Sequence, residues 1–417
     1  MNLLILSYYY PPDLSAGSFR CQALVAALIQ KMPSGSTITV LTTEPNRYTS
    51  HRAAASERES ATTERGVTVE IIRFKLPPHH SRALHQALGF LAYGRQVVGW
   101  LKQQKNRGKN HDKVFATSSR LQTAFLGALV ARLYRLPLVL ELRDLFVENL
   151  HSLFAPPLRF FLLPIFKMME AWTLRQASLL SVVTPAFADH YRRMRPNLPI
   201  IVIENGVDSK FLTTDFAKPP PAVGTKIRVV YAGNIGEGQG LERVLPELAR
   251  ARLFSHQFII IGDGGRAVAL AEATVQLPNV EFLPPLPRRL LLDHYRAADV
   301  LFLHLNDYAS LQSVIPSKIF EYAATGKFIV AGVSGMASRI VRGLAGVVVF
   351  DPCDAIGGLK AIDQASLALY DYRDSRREFL ARYDRATLME QLASEIVGGG
   401  GILMLSGFAF ILLPTLP

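Results

Sequence analysis

Apolar residues along the chain gather into short runs separated by stretches of helical spacing. The run "NLLILS" (2–7) carries no charge, as a strand covered on both faces requires. It is followed by "SFRCQALVAALIQ", in which Ala23, Leu24, Ala27 and Leu28 recur at the helical period. The alternation continues through "STITVLTT", "GVTVEIIRF", a helix near 82–105, "KVFATSS", a helix near 121–134 and "PLVLELRD". A second series opens after "IIVIENGVD": "KIRVVYAGN", "GLERVLPELARA", "HQFIIIGDGG", "NVEFLPPL", "RRLLLDHYRAAD", "VLFLHL", "PSKIFEYAATGK", "FIVAGV" and "AGVVVF". Short β-rich runs alternating with helical patterns predict parallel strands joined by crossover helices.

Between the two series, "TTDFAKPPPAVGTK" holds three consecutive prolines and reads as an exposed linker. The expected fold class is therefore α/β, with two doubly wound, Rossmann-like domains over residues 1–206 and 207–384, joined near 207–225. A helix over 385–397 is expected to pack back toward the first domain, leaving an apolar tail over 398–417. In such sheets ligands bind beyond the C-terminal strand ends, so the cleft between the domains is the expected site. At 417 residues, 49% of them hydrophobic and 19% charged, the chain has material for two cores.

A formal net charge of +12 favours anionic partners: nucleic acid, acidic lipid or phosphorylated substrates. No recognisable nucleic-acid module accompanies it, so none is expected as a partner. The two cysteines, Cys21 and Cys353, are too far apart for a zinc spacing or a disulfide framework, which predicts a reducing compartment. The start, "MNLLILSYYYPP", has no basic n-region and reads as a strand instead of a signal peptide. From Arg73 through Lys109 there are eight Lys and Arg and no Asp or Glu, interleaved with Phe90, Leu91, Tyr93, Val97, Val98 and Trp100. Two readings stand: an amphipathic helix lying in an anionic membrane interface, or a core-packed helix with a solvated basic face. The tail "GGGGILMLSGFAFILLPTLP" has roughly 16 apolar residues, short of the ~20 that span a bilayer. A shallow anchor, a buried segment and a frameshifted end all fit it.

Two glycine-rich turns follow strands, "NIGEGQG" and "IIIGDGG"; such turns let a ligand approach the backbone and offer N–H groups to phosphate. In "PSKIFEYAATGK", Pro316 and Ser317 suit a first helical turn, Lys318 adds a positive charge there, and Glu321 stands one turn on along the same face. A carboxylate accepts from two neighbouring hydroxyls, so phosphate at the helix start with a ribose one turn away fits a nucleotide. A plain Lys318–Glu321 ion pair on a helix capped by Gly326 fits the same residues.

The order of these elements, with "YYYPPDLSAGSFR", "VLELRDLFVENL", "VVTPAFADHY", "VIENGVD", "YAGNIGEGQGL", "IIIGDGG", "ADVLFLHL" and "PSKIFEYAATGK", resembles family 4 of the retaining glycosyltransferases. The resemblance runs to about Val397 and implies the GT-B fold, two Rossmann-like domains facing across a cleft. The "RDLFVEN" and "PSKIFEY" forms are most similar to a bacterial branch that adds amino-sugars such as N-acetylfucosamine to O-antigen or capsule. It implies donor-binding residues Gly17, Gly233, Asn234, Gly236, Gln239, Ile315, Pro316, Ser317, Lys318 and Glu321, with Lys318, Glu321 and Arg143 as the catalytic set. Asp144, Glu148 and Arg20 are implied on the acceptor side, where Asp144 and Glu148 either orient a hydroxyl or cap a helix. Implied partners are a nucleoside-diphosphate sugar, UDP-linked, and a polyprenyl-diphosphate-linked saccharide at the cytoplasmic face of an inner membrane, with the protein peripheral.

Neither metal nor cofactor is implied, and no Asp-x-Asp pair occurs in the chain. Departures from the family pattern are Ser313 where the first glutamate of Glu-x7-Glu belongs, and Asn234 and Gln239 at a usually basic pair. "TSSR" (117–120) lacks the usual histidine, and Arg143-Asp144 replaces a histidine-aspartate pair. These departures keep a second reading, a non-catalytic binding or scaffold protein, in view, with a nucleotide-sugar 2-epimerase as a third. A nicotinamide dehydrogenase is excluded because Gly-x-Gly-x-x-Gly does not follow the first strand.

Overall fold

A computed structural model describes residues 1–46, 54–76, 83–118, 121–148, 156–219, 221–222 and 224–398. Among the described residues the first half of the chain forms an eight-stranded sheet in the order β3-β4-β2-β1-β5-β6-β7-β8. Its strands are β1 (Asn2–Ser7), β2 (Thr37–Thr43), β3 (Arg58–Thr62), β4 (Thr68–Phe74), β5 (Lys113–Ser118), β6 (Leu138–Leu142), β7 (Leu179–Val182) and β8 (Ile200–Val202). The second half forms a six-stranded parallel sheet in the order β11-β10-β9-β12-β13-β14. These are β9 (Ile227–Ala232), β10 (His256–Ile261), β11 (Val280–Leu283), β12 (Val300–His304), β13 (Phe328–Gly332) and β14 (Val347–Phe350). Strand order reverses beside β1 and beside β9, which opens a crevice at the C-terminal end of each sheet.

Period-two alternation within β1 explains the two layers. Leu4 and Leu6 enter a core with Tyr93, Leu126 and Leu180, while Leu3 and Ile5 enter another with Leu24, Leu28 and Leu392. Each such buried leucine contributes about 1.5–3 kcal/mol. The helix Arg385–Gly398 belongs to that second layer: Leu388, Met389 and Ile396 pack there, and Lys113 Nζ donates to the Ile396 carbonyl at 2.5 Å. The chain thus crosses between the halves twice, side by side. At the crossing, Val207 N–H donates to Tyr383 O at 2.6 Å and Arg385 N–H to Val207 O at 2.9 Å.

The acid-free helix, Ala83–Asn106, turns its aromatic face to the sheet. Tyr93, Val97 and Leu101 are buried, Tyr93 OH donates to Leu41 O at 2.7 Å, and the Phe90 ring lies tilted against Tyr8 with centroids 4.3 Å apart. Val98 and Trp100 pack on the same core. The core-packed reading therefore holds for these residues, and of the six interleaved ones only Leu91 is a surface side chain. Among the described residues no helix is long and apolar enough to cross a membrane. The apolar tail lies outside the described residues from position 399, as do Ser119 and Arg120 of "TSSR".

Strand β7 lay in none of the expected runs, and neither did strand β3. Its five residues are exposed, and it adds antiparallel to β4 as an edge. Arg73 on β4 holds it, reaching Glu59 at 2.5 Å, Ser56 O at 2.9 Å and Pro11 O at 2.8 Å.

Candidate functional site

A cavity of about 370 Å³ lies between the halves, walled by the segments that follow β1, β6, β8, β9, β10, β11 and β12. Ten of the residues singled out from sequence line it: Gly17, Arg143 and Asp144 from the first half, and Gly233, Asn234, Ile315, Pro316, Ser317, Lys318 and Glu321 from the second.

On the second half, the helix Lys318–Ala324 begins at the cavity wall. Its first-turn bonds open with Ile319 N–H to Pro316 O at 3.1 Å, and Gly326 closes its C-terminal end at φ 72°, a left-handed angle that glycine takes without strain. Lys318 Nζ sits 5.0 Å above the Tyr231 ring and against Gly233, where a Cβ would overlap it. Glu321 is not paired with Lys318; its Oε1 accepts from Arg288 Nη2 at 3.1 Å. The plain Lys–Glu pair is thereby replaced. Arg288, which sequence reasoning did not single out, also lines the cavity and donates to Asp208 Oδ2 at 2.6 Å.

Gly236 and Gln239 do not line the cavity. Gln239 Oε1 accepts from Asn234 Nδ2 at 2.7 Å and from Gly236 N–H at 3.2 Å, so these side chains close the turn upon itself. Beneath the turn, His304 Nε2 accepts from Cys353 N–H at 2.9 Å. A backbone N–H only donates, so the proton sits on Nδ1 and points to Gln239 O at 2.6 Å. Burial, with Arg243 adding, pulls the His304 pKa down to about 4 against the pull of that carbonyl, and the ring is neutral. Ser313 ends the short 3-10 helix Ala309–Ser313 and does not line the cavity.

On the first half, the Arg143 guanidinium lies against Gly17, where a Cβ would overlap Nη1 and Nη2. Arg143 and Arg20 share one buried carboxylate, Glu141. Arg20 Nε is 2.8 Å from Oε1, Arg143 Nε is 3.9 Å from Oε2, and Thr117 Oγ1 donates to Oε2 at 2.5 Å. Burial pushes the Glu141 pKa up, but the two arginines and Thr117 outweigh it and leave the group below its ordinary value.

Two acceptor-side expectations are corrected by this geometry. Arg20 is buried away from the cavity, with its other nitrogens on Glu204 O at 2.5 Å and Ile203 O at 2.9 Å, so it ties the end of β8 to the helix Ala16–Lys31. Glu148 is exposed and does not line the cavity. Asp144 does line it.

What the cavity can do follows from its walls. Glu321 stands one helical turn from Lys318, Arg143 lines the wall from the other half, and a close-approach glycine lies against each of these two cations. That arrangement suits a ligand with a diol and a diphosphate.

Residues 20–206 match the family model for a glycosyl transferase 4-like domain, and residues 226–365 match that for glycosyl transferases group 1. A putative colanic acid biosynthesis glycosyl transferase, WcaI, from Escherichia coli (strain K12) is 28% identical over 181 residues. That match covers 41% of this chain, and the chain spans 43% of that relative's length. Among solved structures, Anabaena Alr3699/HepE in complex with UDP and glucose superposes with a TM-score of 0.63 at 18% identity, over 94% of this chain and 98% of the other. WaaG, a glycosyltransferase involved in lipopolysaccharide biosynthesis, superposes with a TM-score of 0.66 at 13% identity, over 95% and 100%.

Proposed function

Because the chain belongs to the glycosyltransferases of the GT-B fold, with a 4-like domain followed by a group 1 domain, we propose that it moves a sugar from a UDP-linked donor to a lipid-linked saccharide during surface-polysaccharide assembly, with retention at the anomeric carbon. The observation that carries this reading is the convergence of Glu321, Lys318 and Gly233 with Arg143 and Gly17 on one cavity between the halves.

In this reading Glu321 accepts from the two ribose hydroxyls, while Lys318 over Gly233 and Arg143 over Gly17 take the diphosphate from opposite sides. The bond between the anomeric carbon and the diphosphate oxygen breaks, its electron pair leaving with the diphosphate. A bond from the acceptor oxygen forms on the same face, and the acceptor proton passes to the departing phosphate oxygen. Fixed cations beside that oxygen stabilise the charge as it develops. Asp144, the acid on the first-half wall, orients the acceptor hydroxyl. The reaction as read needs neither metal nor cofactor.

The choice of uridine is supported by the UDP held in HepE, and the surface-polysaccharide role by the colanic acid and lipopolysaccharide relatives. The resemblance of the "RDLFVEN" and "PSKIFEY" forms supports an N-acetylated deoxy-amino sugar as the group moved, to a polyprenyl-diphosphate-linked acceptor at the cytoplasmic membrane face.

The test is a thermal-shift panel of UDP, GDP, dTDP and ADP on wild type and Glu321→Ala. At a hundredfold excess over Kd, UDP should add ~2.7 kcal/mol to wild type and nothing to the variant. No shift with any diphosphate would remove the nucleotide site and leave the scaffold reading standing.

A further inference from the structure

We infer that the outward face of the helix Pro156–Gln176 docks on an anionic lipid bilayer; the inference rests on the lipid-linked acceptor read above. Phe160, Phe161, Ile165 and Met168 expose 77%, 70%, 54% and 70% of their surface. At the α-helical turn angle these four residues and the exposed Pro164 share an arc of roughly 140°. The opposite face is already committed: Glu170, Thr173 and Leu174 are buried there. Scattered apolar side chains are ordinary on a protein surface, but four large ones side by side mark a place where something docks.

Charge selects the occupant. Lys167 and Arg175 are exposed on this helix, and its one acid, Glu170, is buried under Tyr191 OH at 3.3 Å. The helix Ala83–Asn106, packed on the other flank of the helix Leu121–Tyr134, has no acid at all and exposes Leu88, Leu91, Arg95 and Lys102. An apolar strip rimmed by cations fits acyl chains beneath anionic headgroups. A second copy of the chain would set the same cations against each other.

Position agrees with the role. Crossover helices run antiparallel to the strands they connect, so the start of each helix lies at the C-terminal strand ends. Phe160 and Phe161 follow β6, and Leu88 and Leu91 follow β4, so both apolar groups sit at the cleft end of the first half. A bilayer held there would meet the protein beside the cavity mouth, where a lipid-carried acceptor has to enter.

The test is flotation of the full chain with vesicles of phosphatidylglycerol and phosphatidylethanolamine, and with phosphatidylcholine vesicles. Wild type should float with the anionic vesicles and at least about tenfold less with the neutral ones, and F160S/F161S/M168S should lose roughly tenfold or more of the anionic binding. The triple variant should keep its melting temperature and its UDP-induced shift, because none of the three residues touches the cavity. A UDP shift without flotation would overturn the lipid surface and leave the donor site standing; flotation without a UDP shift would do the reverse. Undiminished flotation of the triple variant also overturns the proposal, and loss of flotation in F408S/F410S alone would assign the anchor to the apolar tail. A dimer that the triple variant dissociates, with no vesicle binding by wild type, would make the face a self-interface.

Discussion

Arg288 holds Glu321 at 3.1 Å and Asp208 at 2.6 Å with two arms of one guanidinium. The flat group rests between Phe19, 4.3 Å from its ring centroid, and Phe211, at 5.0 Å. Phe19 belongs to the first half, on the helix Ala16–Lys31, so a single side chain links the candidate ribose carboxylate to the opposing half. A charged hydrogen bond of this kind is worth about 1.5–3 kcal/mol. Arg288→Ala should therefore weaken UDP binding roughly 10–100-fold by calorimetry, raising the donor KM more than it lowers kcat. Lysine is a point charge and can neither bridge two carboxylates nor stack between rings, so Arg288→Lys should rescue little. Full rescue by lysine would show that the position needs only positive charge.

The arginines on either side of Glu141 should behave oppositely. Arg143→Met leaves Glu141 with Arg20 and Thr117, so the protein should fold. If Arg143 meets the leaving diphosphate as proposed, its loss should cost about 10²–10³ in kcat. Arg20→Met leaves a buried carboxylate without its nearest cation and should cost about 3–5 kcal/mol of stability. Denaturant unfolding and single-turnover kinetics on both variants separate the two. An Arg20 variant of normal stability with a kinetic defect would return Arg20 to the acceptor side.

Two buried groups tilt the pH dependence of stability in opposite directions. His304 titrates near 4 in the fold, below its ordinary 6.5, so its contribution is complete above 6.5 and is lost as pH falls toward 4. Glu170 is raised from 4.5 to about 7 by burial first, with the neighbouring Glu148 adding, so its contribution is complete below 4.5 and is lost as pH rises through 7. Each amounts to about 3 kcal/mol over its window. Relative to wild type, His304→Gln should gain stability from pH 6.5 down to 4.5, and Glu170→Gln should gain it from pH 4.5 up to 7.5. Urea unfolding at four pH values checks the slopes; differences that do not change with pH would mean that neither group's proton affinity is moved by the fold.

Where one face of an element is plainly apolar, the fold is legible before any coordinates: all the expected strands through β14 and the helix Leu121–Tyr134 stand where the runs and periods place them. Strand β3 was hidden because "RESAT" has no apolar face and is held by its backbone ladder and Arg73. Pairing of Lys318 with Gly233 and of Arg143 with Gly17 is not written in spacing either, since each is a contact between the start of a helix and the segment after a distant strand, brought together only by the sheets. Arg288 reads as an ordinary basic residue at the start of an amphipathic helix; its meaning lies in Phe19, Phe211, Asp208 and Glu321, which are far from it in sequence. The helix Pro156–Gln176 is apolar nearly all round, so no period says which side faces water.

The contact between Gly233 and Lys318 allows the candidate phosphate site to be tested apart from the ribose site. Gly233 sits at φ 142°, and a Cβ there would overlap Lys318 Cε and Nζ. Gly233→Ala should cost about 1–3 kcal/mol in backbone strain and push the ammonium off its place above Tyr231. If Lys318 meets the diphosphate and Glu321 the ribose, the variant keeps its affinity for uridine and loses most of the difference between UDP and uridine. Lys318→Met should lose the same difference without the backbone strain, because Gly233 is unchanged in it. Calorimetric titration of both ligands gives the ratio directly. A ratio unchanged in both variants would make Lys318 a packing residue and move the diphosphate to the Arg143 side of the cleft.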